Sequence, residues 1–140
     1  MKLEFTKMEG CGDDYIYINC FEQEISDPNH LSEILSDRHF GIGGDGVVLI
    51  CKSDTCDAKM RMFNLDGSEG KMCGNAIRCV AKYLYDNDIV KKDTLTIETL
   101  SGVKTLKLNT ENGLVTSVTV DMGKAEFAPE KIPALLDGDR

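Results

Sequence analysis

Six cysteines stand at positions 11, 20, 51, 56, 73 and 79, and one of them sits where a thiol could do acid–base work. Cys73 follows the turn-forming run Asp66-Gly67-Ser68 and precedes a stretch, opened by Gly74, in which Ile77, Val80, Ala81 and Leu84 recur at helical spacing. It therefore stands just before a helix N-terminus, where unpaired backbone N–H groups and the positive end of the helix dipole converge. That environment favours thiolate and anions alike, so one terminus can hold a substrate carboxylate and keep a reactive sulfur beside it. Gly74 lets a ligand approach the backbone, Asn75 offers an amide to a carboxylate, and Asn64 does the same from a strand end. A lone cysteine is most often a small buried hydrophobe. That ordinary reading is kept for Cys11, Cys20, Cys51, Cys56 and Cys79, the last of which lies inside the helix.

Such a thiolate could attack a carbonyl or remove a proton. Nucleophilic use ordinarily needs an activating base, often histidine. The two histidines, His30 and His39, belong to no partner motif; His30 falls in an exposed helix and His39 just ahead of a glycine loop. Proton abstraction needs no histidine when the helix terminus itself favours thiolate.

A second motif is a decoy. Gly41-Ile42-Gly43-Gly44-Asp45-Gly46 matches G-x-G-x-x-G letter for letter. Dinucleotide binding requires a strand before that motif and a helix N-terminus after it. Here a helix precedes and an apolar strand follows, so nucleotide binding is rejected. What remains is a tight loop that needs positive φ angles.

The elements that must position these residues read as follows. Strands are expected over 3–8 and 14–20, around Gly10-Cys11-Gly12-Asp13. A helix starts at Asp27-Pro28, with Asp27 as N-cap and Leu31, Ile34 and Leu35 as its apolar face, and runs to about Asp37. Val47 to Cys51 is a buried strand, 57–64 another, and a helix runs from Gly74 to about Tyr85, ended by Asp86-Asn87-Asp88. Strands over 94–99, 103–108 and 114–121 are joined by hairpin turns at Ser101-Gly102 and Glu111-Asn112-Gly113. Hairpins outnumber β-α-β units, which gives an α+β fold with a largely antiparallel sheet against the second helix. A domain over 1–124 is expected, with 125–140, carrying Pro129, Pro133 and Asp137-Gly138-Asp139-Arg140, as the start of a linker.

The 140 residues suffice for one domain with a real core, and 41% hydrophobic with 29% charged residues is a globular balance. No apolar run approaches a bilayer span, and the N-terminus lacks the pattern of a signal peptide. The expectation is a cytoplasmic protein with free thiols and no membrane partner. No cysteine pair has the C-x-x-C spacing of a structural zinc site. A net charge of −8 argues against a nucleic-acid partner.

Taken together, four blocks carry a resemblance: Met8-Glu9-Gly10-Cys11-Gly12-Asp13-Asp14-Tyr15; Arg38-His39-Phe40-Gly41-Ile42-Gly43-Gly44-Asp45-Gly46; Asn64-Leu65-Asp66-Gly67-Ser68; and Met72-Cys73-Gly74-Asn75 with Arg78-Cys79. In order and spacing they resemble the diaminopimelate epimerases over most of residues 3–122. The resemblance implies a mostly antiparallel sheet wrapped around a central helix, one half of a two-domain fold. It also implies an isomerase that uses no pyridoxal cofactor and no metal and interconverts LL- and meso-diaminopimelate, on the route to lysine and peptidoglycan. Two cysteines would face the α-carbon from opposite sides, one removing a proton as thiolate and the other delivering one as thiol. Cys73 matches the first-half cysteine, and Asp13, Asn64, Gly74 and Asn75 match substrate-binding positions. At position 13 the family usually carries asparagine, so Asp13 adds negative charge near a bound carboxylate. The second cysteine belongs to a C-terminal half beyond this chain, which should be inactive alone; that half is the expected partner, with a homodimer as a further possibility. A proline-racemase-like enzyme and a non-catalytic binding module are the alternative readings.

Overall fold

The computed structural model describes residues 3–10 and 12–121. Cys11, the expected domain boundary at 124 and the expected linker lie outside the described residues. The chain runs β1 (Thr6–Gly10), β2 (Asp13–Asn19), α1 (Pro28–Ser36), β3 (Gly46–Cys51), β4 (Ala58–Asn64), β5 (Glu69–Gly70), α2 (Gly74–Asp86), β6 (Thr94–Thr99), β7 (Gly102–Glu111) and β8 (Leu114–Asp121). All strands join one sheet in the order β1-β2-β3-β4-β6-β7-β8, with the short β5 pairing β4 off that path. Most neighbours are antiparallel, as the turn chemistry implies. The β7–β8 hairpin turns on Asn112 (φ 54°) and Gly113 (φ 82°), the double left-handed geometry that favours Asn-Gly.

Two pairs are parallel, β2 with β3 and β4 with β6. Each is bridged by one of the helices, so the described residues hold two β-α-β crossovers that a count of hairpin turns passes over. The crossovers place the helices on opposite faces. Alternation along β2 decides which side chain goes where: Tyr15 and Tyr17 enter one cluster with Val48, Ile50, Met60 and α2, while Ile16 and Ile18 enter another with Val47, Leu49, Phe63 and the side of α1. Covered on both faces, β3 is apolar throughout, which is why its sequence shows no alternation.

The sheet curls around α2, which touches β1 and β2 near one edge and β7 and β8 near the other. Its Ala76, Ile77, Val80, Ala81 and Leu84 are fully buried, and each of the larger three contributes roughly 1.5–3 kcal/mol relative to exposure. The α1 face differs from expectation. Ile34 is 49% exposed, and the buried positions are Pro28, Ser32 and Ser36, with Leu31 and Leu35 partly covered. The helix turns a small polar residue inward because Ser32 has a task there: its hydroxyl donates to the carbonyl of Asn64 at 2.7 Å. Its N-terminus follows the sequence, with the Asp27 side chain accepting from the His30 N–H at 3.2 Å. No helix among the described residues is long and apolar enough to cross a membrane.

Candidate active site

The direction of each strand brings the candidate residues to one end of the sheet. β1 ends there at Gly10, β2 begins at Asp13, β3 begins at Gly46 and β4 ends at Asn64. Into the same end comes the start of α2, since a Cβ on Gly10 would meet Asn75 and the Cys79 sulfur at 3.4 Å. Of the glycine loop, only Gly43 (φ 88°) has the expected left-handed backbone. Gly46 is needed for close approach instead, because a Cβ there would lie 2.2 Å from the Phe63 carbonyl oxygen.

Cys73 is the N-cap residue of α2, with extended backbone (φ −138°, ψ 122°) and no side-chain capping hydrogen bond. Ile77 N–H donates to its carbonyl at 2.9 Å and opens the helical ladder. Its side chain is half-buried against the α2-side core. The thiol is not alone. Burial pushes the Tyr15 phenol up, and the neighbouring Cys73 thiol pushes it further. Tyr17, one pleat along the same face, is raised by burial and then by Cys79. The two rings meet edge to face at 6.4 Å. At neutral pH both phenols keep their protons, so Tyr15 keeps an O–H beside Cys73.

Around the thiol, Asn75 is 4% exposed and spans two charged groups. Its amide N–H donates to the Asp13 carboxylate at 2.8 Å, and its carbonyl accepts from the Arg78 guanidinium. The charge at position 13 therefore has a built-in partner, with a cation one link behind it. Gly74 faces room: a Cβ there would find only Arg78 Nη1, at 3.8 Å. The packing of this half does not require glycine at that position. Asn64 is exposed, and its side-chain amide donates to the Ser68 hydroxyl at 3.1 Å.

Next to Asp13, Asp14 receives two hydrogen bonds from Arg38, at 3.2 and 2.9 Å, and an ion pair from Lys7 at 3.3 Å. Hydrogen bonding to Arg38 holds the Asp14 carboxyl well below the usual carboxylate range, against burial and with help from Lys7. Asp45 joins through Arg38 at 3.3 Å, which ties the glycine loop to the start of β2.

Sequence reasoning passed over three participants. Tyr15 reads as generic strand content, and only the pleat reveals that it points at Cys73. Arg78 lies four residues after Gly74, one helical turn on, and that spacing could have flagged it. Ser32 looks like a surface residue of an amphipathic helix. His30 and His39 are both exposed. Among the described residues, no three His, Cys, Asp or Glu side chains gather as a metal site would need.

A curled sheet around one helix, with a thiol at the helix start, defines a class before it defines a family. The fold is that of solved isomerases and epimerases. A hydroxyproline epimerase from Agrobacterium vitis, with bound trans-4-hydroxy-L-proline, superposes with a TM-score of 0.64 at 16% identity, covering 86% of this chain and 41% of that one. A methylitaconate-delta-isomerase gives 0.67 at 15% identity, covering 82% and 36%. Sequence carries the matter further. Residues 5–128 match the diaminopimelate epimerase family model, and the chain belongs to that family. The diaminopimelate epimerase of Methanococcus maripaludis is 57% identical over 95% of this chain and 48% of its own length. That of Desulfovibrio desulfuricans is 56% identical over 96% and 47%, and that of Acetivibrio thermocellus 53% identical over 96% and 48%. The chain spans about half the length of the curated relatives it matches.

Proposed function

We propose that this chain supplies one half of the active site of a cofactor-independent diaminopimelate epimerase, with Cys73 as one of two acid–base thiols. The observation that carries the reading is the placement of Cys73: an N-cap thiol with no capping bond of its own, beside an open Gly74 and a protonated Tyr15. The substrate α-carboxylate binds over Gly74 and Asn75, where the helix N–H groups and the Arg78 guanidinium favour an anion. Carbon–hydrogen bonds at an α-carbon are weak acids. Cys73, beside the helix terminus and the Tyr15 hydroxyl, takes the proton as thiolate, and negative charge developing on the carboxylate is stabilised by the same helix end. Asn64 contributes an amide from the end of β4.

Inversion needs a proton donor on the opposite face of the α-carbon. In this reading it comes from the half-length of protein that the relatives have and this chain does not span, and a cytoplasmic setting belongs to the same reading. Cys79 cannot substitute, since six residues of helix carry it roughly 9 Å from the terminus. The test joins this chain to the C-terminal half of the Methanococcus maripaludis relative and follows LL-diaminopimelate in deuterated water. The chimera is expected to form the meso isomer with deuterium at the α-carbon, and its Cys73→Ala form to make neither product. Meso product at an undiminished rate from the Cys73→Ala chimera would overturn the reading.

A further inference from the structure

Two further cysteines meet on the opposite face of the sheet and at its opposite end. β2 and β3 are parallel and in register, with Tyr15 beside Gly46 and so on to Asn19 beside Ile50. One step further the same register sets Cys20 beside Cys51, and the Cys20 N–H holds it there by donating to the Ile50 carbonyl at 2.8 Å. Adjacent strands lie about 4.8 Å apart, inside the ~4.4–6.8 Å range of Cα separations that disulfides span. Both side chains are half-buried, and both pack against the α1-side cluster, which puts them on one face. Cys20 lies in the turn just past β2, so its backbone is less constrained than a residue inside the ladder.

We propose that Cys20 and Cys51 are a second thiol site of this protein, a pair that closes to a reversible disulfide with a small hydroperoxide such as hydrogen peroxide as oxidant. The two sulfurs take different parts. Hydrogen bonding from Cys20 draws the Cys51 thiol down, against burial and Glu69, and the Arg61 and Lys59 charges act in the same direction. Lys59 pairs with Cys51 across the β3–β4 ladder, and Arg61 pairs with Leu49 one pleat along the same face. The same hydrogen bond, with burial, pushes Cys20 up. Cys51 is therefore the sulfur that reacts first, as thiolate. It attacks one peroxide oxygen: the O–O bond breaks, Cys51–S–OH forms and hydroxide leaves. The Cys20 sulfur then attacks the Cys51 sulfur: the S–S bond forms, the S–O bond breaks, and the departing oxygen leaves as water. The proton lost by Cys20 goes to that departing oxygen, and the hydroxide of the first step takes the proton that Cys51 gave up on forming its thiolate. Two thiols are oxidised by two electrons in total, and one peroxide is reduced to two waters.

Position separates this pair from the proposed catalytic thiol. From Tyr15, beside Cys73, to Cys20 the strand runs five residues, roughly 16 Å, and the pairs face opposite clusters. Closing the disulfide should leave the reactivity of Cys73 untouched.

The experiment treats the 140-residue chain with limiting hydrogen peroxide, alkylates the remaining thiols, and maps the peptides by mass spectrometry. A cross-linked Cys20–Cys51 peptide, lighter by two hydrogen atoms and cleaved by dithiothreitol, is the expected product. It should be lost in Cys20→Ser and in Cys51→Ser and kept in Cys73→Ala. In Cys20→Ser, Cys51 should stop at the sulfenic acid and be captured by dimedone. The wild-type map decides even if a variant folds poorly. If peroxide leaves Cys20 fully alkylatable, or if the cross-link joins Cys73 to another cysteine instead, the proposal is overturned.

Discussion

The two faces of one sheet carry thiols in opposite settings. On the α2 face, Cys73 and Cys79 each have a tyrosine, Tyr15 and Tyr17, so each sulfur meets a phenol. Cys73 in addition stands at a helix start that no side chain caps. On the α1 face, Cys20 and Cys51 have each other, with Arg61 close by. The difference follows from the pleat. Tyr15 and Tyr17 occupy odd positions of β2, and one register step along the other face places two cysteines together. A thiol between a helix dipole and a hydroxyl is suited to exchanging protons, and two thiols across a parallel ladder are suited to exchanging electrons.

The sharpest way to break that contrast is at Cys73. In the chimera described above, Cys73→Ala should reduce epimerisation by about 10²–10⁴-fold, while urea unfolding of the 140-residue chain barely moves because the side chain is only half-buried. Equal losses in activity and stability would mean the thiol is mainly packing.

On the opposite face the expectation reverses. Ser32 is fully buried and donates to Asn64 and Phe63 carbonyls, at 2.7 and 3.2 Å. Ser32→Ala removes that one hydroxyl donor, while the Asn64 carbonyl keeps the Gly67 N–H at 2.9 Å, so it should cost about 0.5–1.5 kcal/mol in urea unfolding, with the alkylation rate of Cys73 unchanged. A changed rate would show that the two faces communicate through the turn after β4.

Tyr15→Phe removes the hydroxyl beside Cys73 and keeps the ring. Alkylation of Cys73 by iodoacetamide at neutral pH should slow by roughly threefold to tenfold, the range of one hydrogen bond. Peroxide cross-linking of Cys20 to Cys51 should not change. An unaltered Cys73 rate would leave the helix terminus as the sole source of its reactivity.

The smallest effect belongs to the charges that link the two sides. Because the Asp14 carboxyl is held below its ordinary value, its stabilisation is fully present above about pH 4, its unfolded value, and is lost as pH falls through the folded one. Arg38→Gln should therefore lower stability slightly at pH 7, and the gap to the parent chain should close on acidification. The partners are partly exposed, so added salt should narrow it too. A gap that widens in acid would contradict the sign.

The residues by themselves determined much of this. Asp27-Pro28 starts a helix, Asn112-Gly113 turns a hairpin, and the 3.6-residue repeat of Ile77, Val80, Ala81 and Leu84 buries one face of another, because these are local rules of backbone geometry and amphipathic spacing. The same locality placed Cys73 at a helix start and set aside the nucleotide reading of the glycine loop. Tertiary structure alone decided the rest. Parallel pairing of β2 with β3 joins residues about thirty positions apart, and no local signal records a partner at that distance. The pairing determined that Tyr15 faces Cys73 and that Cys20 faces Cys51. It also set α1 so close to the end of β4 that a serine, and not Ile34, turns inward. Which side chains meet depends on strand register and on which face each helix covers, and both are set only when distant segments pack.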